Sequence, residues 1–273
     1  MDFQLKRVVQ ALRRISRNEK IKVYLLQNPP FYKTVLNEAM RFIGGETLDE
    51  CFQTAEKIIE KGHAFTVDFM GESTRDEKTA KVVTKEFLRV IEKIKKTSAN
   101  ASISLDLSHL GMMIDKDLAL ENASKLAQKA KESGIEIMIS MEGTDRTDNI
   151  LGLHKKLCKK FDNVGITLQA YLYRTEKDLD EALDRPVKIR LVKGAYEISR
   201  EEGLPWGRKT DAAYRKYMKK ILKRHHLFSI ATHDEQILHS AENIIKRHSI
   251  NSNNIEIEML HMVKNGISIY ATV

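Results

Sequence analysis

Residues 64–107 read AFTVDFMGESTRDEKTAKVVTKEFLRVIEKIKKTSANASISLDL. The runs Ala64–Phe69 and Ala101–Leu107 are short, apolar and β-rich. The stretch RDEKTAKVVTKEFLRVIEKIKK between them carries its apolar residues at helical spacing. Strand, amphipathic helix and strand in that order make a βαβ unit, which predicts parallel neighbours joined by a crossover.

The alternation continues on both sides. The helix-period segment LDECFQTAEKIIEKG precedes the first run, and DKDLALENASKLAQKAKESG follows the second. Further strands are expected at Ile135–Ser140, Gly165–Tyr171, Val187–Lys193, Phe228–Thr232, Ile255–Met259 and Ile267–Ala271. Gly62 and Gly134 stand where helices end before a strand. The strands read as near-continuous apolar runs, as expected when both faces are covered. Eight strands in alternation with helices predict an α/β fold, a (β/α)8 TIM-type barrel over residues 46–273, with an N-terminal helical segment over 1–45. A doubly wound open sheet is the alternative, but no GxGxxG or GxxxxGK[ST] loop accompanies it. The last strand, GISIYATV, runs to the final residue, so the eighth helix is missing. Cover from the first residues, a partner subunit, or a shortened chain would account for this.

Composition narrows the function classes. Of 273 residues 42% are apolar, and 46 Lys and Arg against 38 Asp and Glu give a net charge of +8. Two cysteines, Cys51 and Cys158, provide no disulfide framework and fit a reducing compartment. No apolar run approaches the roughly 18 residues of a membrane span. The charged start MDFQLKRVVQALRRISR lacks the apolar centre of a signal peptide, so a cytoplasmic location is expected. Leu5, Val8, Leu12 and Ile15 make that start a basic amphipathic helix. Four apolar positions suit a helix packed on the main domain; peripheral contact with an anionic membrane surface is the other reading. No nucleic-acid motif accompanies the charge.

In a barrel of this kind chemistry gathers at the carboxyl ends of the strands. Those ends offer Asp68, Glu72 and Ser73; Asp106, Ser108 and His109; Ser140 and Glu142; Gln169, Tyr171 and Arg174; Arg190, Lys193 and Tyr196; Thr232, His233 and Asp234; Glu258 and His261; and Tyr270. For Ser73, Asp76, Thr144, Asp145, Thr175 and Asp234 helix capping is the preferred explanation. Arg190 is different: a charge inside an apolar strand needs an anionic or hydrogen-bonding partner, such as a phosphate, a carboxylate or a cofactor ring. Gln169 wants a partner that both donates and accepts. No HExxH, CxxC or GxSxG spacing occurs, so neither a metal site nor acyl transfer is expected.

Taken together, FIGGETLDE, VDFMGES, MEGTDRTD, LQAYLYRTEKDL, RLVKGAYE, ATHDE and EIEMLH, followed by SIYATV, resemble the bacterial single-function proline dehydrogenase family. The likeness runs from about Phe42 to the last residue. It implies a barrel holding FAD noncovalently over the strand ends, oxidation of L-proline to pyrroline-5-carboxylate by hydride transfer to the flavin, and a membrane quinone as electron acceptor. By the same resemblance Arg190, Val192, Lys193, Gly194 and Ala195 line the flavin, Gln169 bonds its ring, and Thr232 and His233 contact the cofactor. Tyr196 and Tyr270 enclose substrate and flavin.

Three departures concern the substrate side. Asp106 stands where the family has lysine, Ser140 where it has aspartate, and the paired arginines of an eighth helix lie outside the sequence. A carboxylate in place of a cation repels a substrate carboxylate, so Asp106 favours a substrate related to proline that carries more positive charge or lacks the carboxylate. The other reading is a family member with impaired catalysis that serves as a flavin-binding or partner subunit.

Overall fold

The computed structural model describes residues 19–30, 32–33, 43–71, 73–97 and 99–260. The eighth expected strand, Tyr270, His261, Glu72 and the first 18 residues lie outside that set. The chain divides into two units, the described residues up to Thr54 with Leu260 forming one and Ala55–Met259 the other. Helix α1 (Glu19–Gln27) lies in the first; α2 (Leu48–Ile59) begins in the first and its residues from Ala55 on belong to the second. Glu50 accepts the backbone N–H groups of Glu46 and Thr47, and Thr47 Oγ1 accepts the N–H of Glu50, which fixes the start of α2.

The second unit is one parallel sheet of seven strands in sequence order, with helices in the crossovers. Its strands are β1 (Phe65–Asp68), β2 (Ala101–Leu105), β3 (Glu136–Ile139), β4 (Val164–Gln169), β5 (Ile189–Val192), β6 (Phe228–Ala231) and β7 (Ile255–Glu258). The crossover helices are α3 (Glu77–Thr97), α4 (Lys116–Glu132), α5 (Thr147–Leu157), α6 (Thr175–Leu183), α7 (Arg208–Lys223) and α8 (Glu235–His248). In α3 the buried residues Ala80, Val83, Phe87, Val90, Ile91 and Ile94 recur at three- and four-residue spacing, which gives one apolar face. Asp115 caps α4 by accepting the N–H groups of Asp117 and Leu118. Gly134, at φ 67°, turns the chain from α4 into β3.

The strands are not apolar on both faces, contrary to expectation. Ile103 and Leu105, Ile166 and Leu168, Ile189 and Leu191, and Phe228 and Ile230 are nearly or fully buried on the helix side. The residues between them are polar: Ser102 and Ser104, Thr167 and Gln169, Lys188 and Arg190, Ser229, and Glu256 and Glu258. Period-two alternation sends this second set to the inner face. There Lys188 on the β5 side pairs with Glu136 on β3 at 2.6 Å and Glu256 on β7 at 2.8 Å. A side chain can touch strands on both sides only if the sheet is curled. The polar inner face therefore encloses ion pairs, and the apolar core lies between the sheet and the helices.

Candidate active site

Arg190 lies at the centre of the inner face. Its neighbours Ile189 and Leu191 turn outward into the core, which turns Arg190 inward. Nε donates to Thr167 Oγ1 at 2.8 Å, and Nη1 to Glu258 Oε1 at 2.9 Å. Nη2 donates to Ser104 Oγ at 3.0 Å and Ser140 Oγ at 3.2 Å. A guanidinium has five N–H groups, and these bonds use four of them. Among the described residues, the N–H left over is on Nη1. The partner foreseen for the buried charge was a ligand; the structure supplies it from within, as the carboxylate of β7 and hydroxyls of three other strand ends. Glu258 is held in turn by Ser229 Oγ, which donates to Oε2 at 2.8 Å. Asp68 at the end of β1 is accessible but enclosed by protein on several sides. Loss of solvation raises its pKa; the Arg190 charge opposes this and Glu258 reinforces it.

Lys193 follows β5. Its ammonium meets Asp211 Oδ1 and Asp234 Oδ2, each at 2.6 Å. Burial disfavours the charged amine, but the two carboxylates outweigh it and hold the pKa above the usual lysine range. Asp234 also caps α8, accepting from the N–H groups of Gln236 and Ile237. Gly194 has φ 117°, and a Cβ there would collide with the Tyr171 ring. Tyr171, fully buried, donates from its hydroxyl to the Tyr196 carbonyl at 3.1 Å. Val192 and Tyr196 are half-buried and Ala195 is exposed, so the segment after β5 presents backbone and small side chains at the strand ends.

A second network joins the ends of β1 to β4. The Glu142 side chain is fully buried; Oε1 accepts from the Ser108 N–H at 3.0 Å and Oε2 from Arg146 Nη1 at 2.6 Å. Arg146 also donates to Ser108 Oγ and, through Nη2, to Ser73 Oγ at 2.8 Å. Gln169 is buried and donates from Nε2 to the Glu142 carbonyl at 3.0 Å. Thr175 Oγ1 donates to the Gln169 carbonyl at 2.6 Å. Of the expected caps, Asp76 and Asp234 do cap helices, whereas Ser73 and Thr175 serve this network. Their hydroxyls are taken up instead by the Arg146 guanidinium and by the Gln169 carbonyl.

Thr232 is buried and its Oγ1 accepts the Asp234 N–H at 3.1 Å, with His233 half-buried beside it. His109 is buried against Phe69 and Phe87, and burial lowers its pKa. Asp106 follows β2 and continues the inward series of Ser102 and Ser104, half-buried. Ser140 Oγ lies 2.9 Å from Ser104 Oγ as well as within reach of Arg190. Thr167, Ser104, Arg146 and Asp211 were not singled out from sequence. Ser104 and Thr167 were detectable as polar residues alternating with apolar ones, and Arg146 by its four-residue spacing from Glu142. Asp211, in the first turn of α7, carries no such signal.

A curled parallel sheet with helices in its crossovers and polar groups converging at the carboxyl ends of its strands is an α/β arrangement consistent with a TIM-type barrel. Its particular kind follows from comparison. The proline dehydrogenase family profile matches residues 51–268. Proline dehydrogenase 2 of Bacillus subtilis is 34% identical over 227 residues, 83% of this chain and 75% of that one. The proline dehydrogenase of Deinococcus radiodurans is 30% identical over 236 residues, 85% of this chain and 76% of that one. This chain belongs to the proline dehydrogenase family. Among solved structures, proline utilization A from Bdellovibrio bacteriovorus superposes with a TM-score of 0.79 at 22% identity, over 87% of this chain and 30% of that one. That likeness supports the fold.

Proline dehydrogenases are flavoenzymes, and the donor set at the strand ends suits a flavin. The isoalloxazine edge carries carbonyl oxygens and ring nitrogens that accept hydrogen bonds. The remaining Arg190 N–H, the Gln169 amide and the Lys193 ammonium are cationic or polar donors on adjacent strand ends.

Proposed function

We propose that this chain is an FAD-dependent oxidoreductase that transfers hydride from L-proline, or a related cyclic amine, to flavin, with pyrroline-5-carboxylate as product in the proline case. Family membership supports the reaction, and the convergence of four strand ends on Arg190 carries the placement of the site. The bound flavin supplies the hydride-accepting ring. In this reading the barrel is closed by an eighth strand. Arg190, Val192, Lys193, Gly194 and Ala195 line the cofactor, Gln169 bonds the ring, and Thr232 and His233 contact it. Tyr196 and Tyr270 enclose the substrate. Electrons leave to an acceptor that is a membrane quinone, reached by peripheral contact from the cytoplasmic side.

The protein's contribution is positioning and electrostatics. Among the described residues Arg190 keeps one N–H rather than a two-pronged fork, which suits a single contact to the flavin and not a carboxylate grip. Asp106 lies where a substrate carboxylate would be repelled, so a cyclic amine lacking that group competes well with proline.

The test begins with absorbance of the purified chain between about 350 and 480 nm, where bound oxidised flavin absorbs. The released cofactor is then identified as FAD or not. Anaerobic addition of proline and of pyrrolidine follows, and the bleaching rates are compared. Bound FAD bleached by either amine supports the reading. A colourless chain that takes up no added FAD contradicts it.

A further inference from the structure

Glu258 has no role in the reading above, yet it is the one carboxylate bonded to Arg190 among the described residues. We infer that Glu258 is a positioning residue for the flavin site: its pairing with Nη1 sets which edge of Arg190 faces the ring, and its charge offsets the guanidinium, so that bound flavin is harder to reduce and the mouth holds anions weakly. This rests on the flavin reading.

The geometry carries the argument. Glu258 is on β7 and Arg190 on β5, with β6 between them, and Ser229 of β6 donates to Glu258 Oε2. The carboxylate is therefore fixed at both oxygens, one by Arg190 and one by Ser229. The guanidinium is fixed on three edges, by Thr167, by Glu258 and by the Ser104–Ser140 pair. It cannot rotate to present a different edge without breaking several of these bonds. The side chains of Arg190 and Glu258 keep only 10% and 24% of their accessibility, so water screens the pair poorly. Reduction of a flavin builds negative charge on its ring, and an uncompensated guanidinium beside it favours that state. A neutral pair favours it less. Asp68 adds a further carboxyl near the same guanidinium, so among the described residues the Arg190 charge is offset on two sides.

The test uses the FAD-loaded full chain and three proteins: wild type, Glu258→Gln and Glu258→Asp. The flavin midpoint potential is measured by reductive titration against a reference dye, and acetate binding by the change it causes in the flavin spectrum. Glu258→Gln is expected to raise the potential by about 30 mV or more, the shift of a tenfold change in a two-electron equilibrium. It is also expected to bind acetate at least tenfold more tightly. Glu258→Asp keeps the charge and should stay closer to wild type in both. If Glu258→Gln does not fold, Glu258→Asp carries the test through a smaller upward shift, because its shorter arm weakens the pair. Potential and acetate affinity unchanged in every folded variant would overturn the inference. A wild type that binds no flavin would instead sink the flavin reading on which the inference stands.

Discussion

Nη1 of Arg190 on β5 lies 2.9 Å from Oε1 of Glu258 on β7, across the strand between them. This contact shows how the fold makes room for a charge inside a sheet. The guanidinium is desolvated, and the strands around it return a carboxylate and three hydroxyls. A pair of this kind is not a source of great stability in itself, but breaking it is costly.

Replacing Arg190 by leucine leaves Glu258 without its cationic partner. Loss of one partner of a buried pair costs about 3 kcal/mol or more. Thermal unfolding should show a clear drop in midpoint, and FAD titration a large loss of affinity. Arg190→Lys retains the charge but has no planar fork, so it should recover only part of either. A lysine variant equal to wild type in both assays would contradict the network described here.

Glu142 and Arg146 make an asymmetric pair. The Glu142 side chain is fully buried, whereas Arg146 keeps 18% of its accessibility. Arg146→Ala therefore leaves a carboxylate that cannot reach water, and the expected cost is about 3 to 5 kcal/mol. Glu142→Gln still offers an oxygen to the Ser108 N–H and should cost less. Urea unfolding of the two variants gives the order; the reverse order would contradict the assignment.

Gly194 holds φ at 117°, and its missing Cβ is where the Tyr171 ring sits. Alanine there must strain the backbone and displace the ring, a cost of about 1 to 3 kcal/mol. The Tyr171 hydroxyl would lose its hold on the Tyr196 carbonyl. Gly194→Ala should unfold at lower temperature and release flavin more readily, both read in one thermal scan that follows flavin fluorescence.

How far the sequence revealed this arrangement depends on the range of the interaction. Seven strands fell within a residue or two of expectation, as at β4, read as Gly165–Tyr171 and found at Val164–Gln169. Strand propensity and helix periodicity are local, so one stretch of chain carries them. The inner face is not legible while Arg190 and Gln169 stand as isolated exceptions in apolar runs. Glu256 and Glu258 alternate with Ile255 and Ile257, and that period was the signal. The Arg190–Glu258 pair spans 68 residues, and the Arg146–Ser73 bond spans 73. Such pairings depend on strand order and curl, which no local pattern encodes.

Acid should weaken the fold through His154. Burial lowers its pKa from 6.5 to about 4; a hydrogen bond with the Val164 carbonyl opposes the shift and the Arg185 charge adds to it. The unfolded chain takes up a proton near pH 6.5, while the folded chain resists until about pH 4. The stability from this residue is thus complete above pH 6.5 and is lost as pH falls through that window, by about 3 kcal/mol in all. Denaturation curves at pH 7, 6, 5 and 4 should show a loss that is smaller in His154→Gln. Equal pH dependence in both proteins would count against a neutral buried imidazole.

The most direct measurement is a single anaerobic turnover of the FAD-loaded chain with L-proline, following flavin absorbance and pyrroline-5-carboxylate together. The account predicts that the flavin bleaches and that product appears in equal amount. Flavin that stays oxidised in the presence of proline, with no product formed, would contradict proline oxidation at this site.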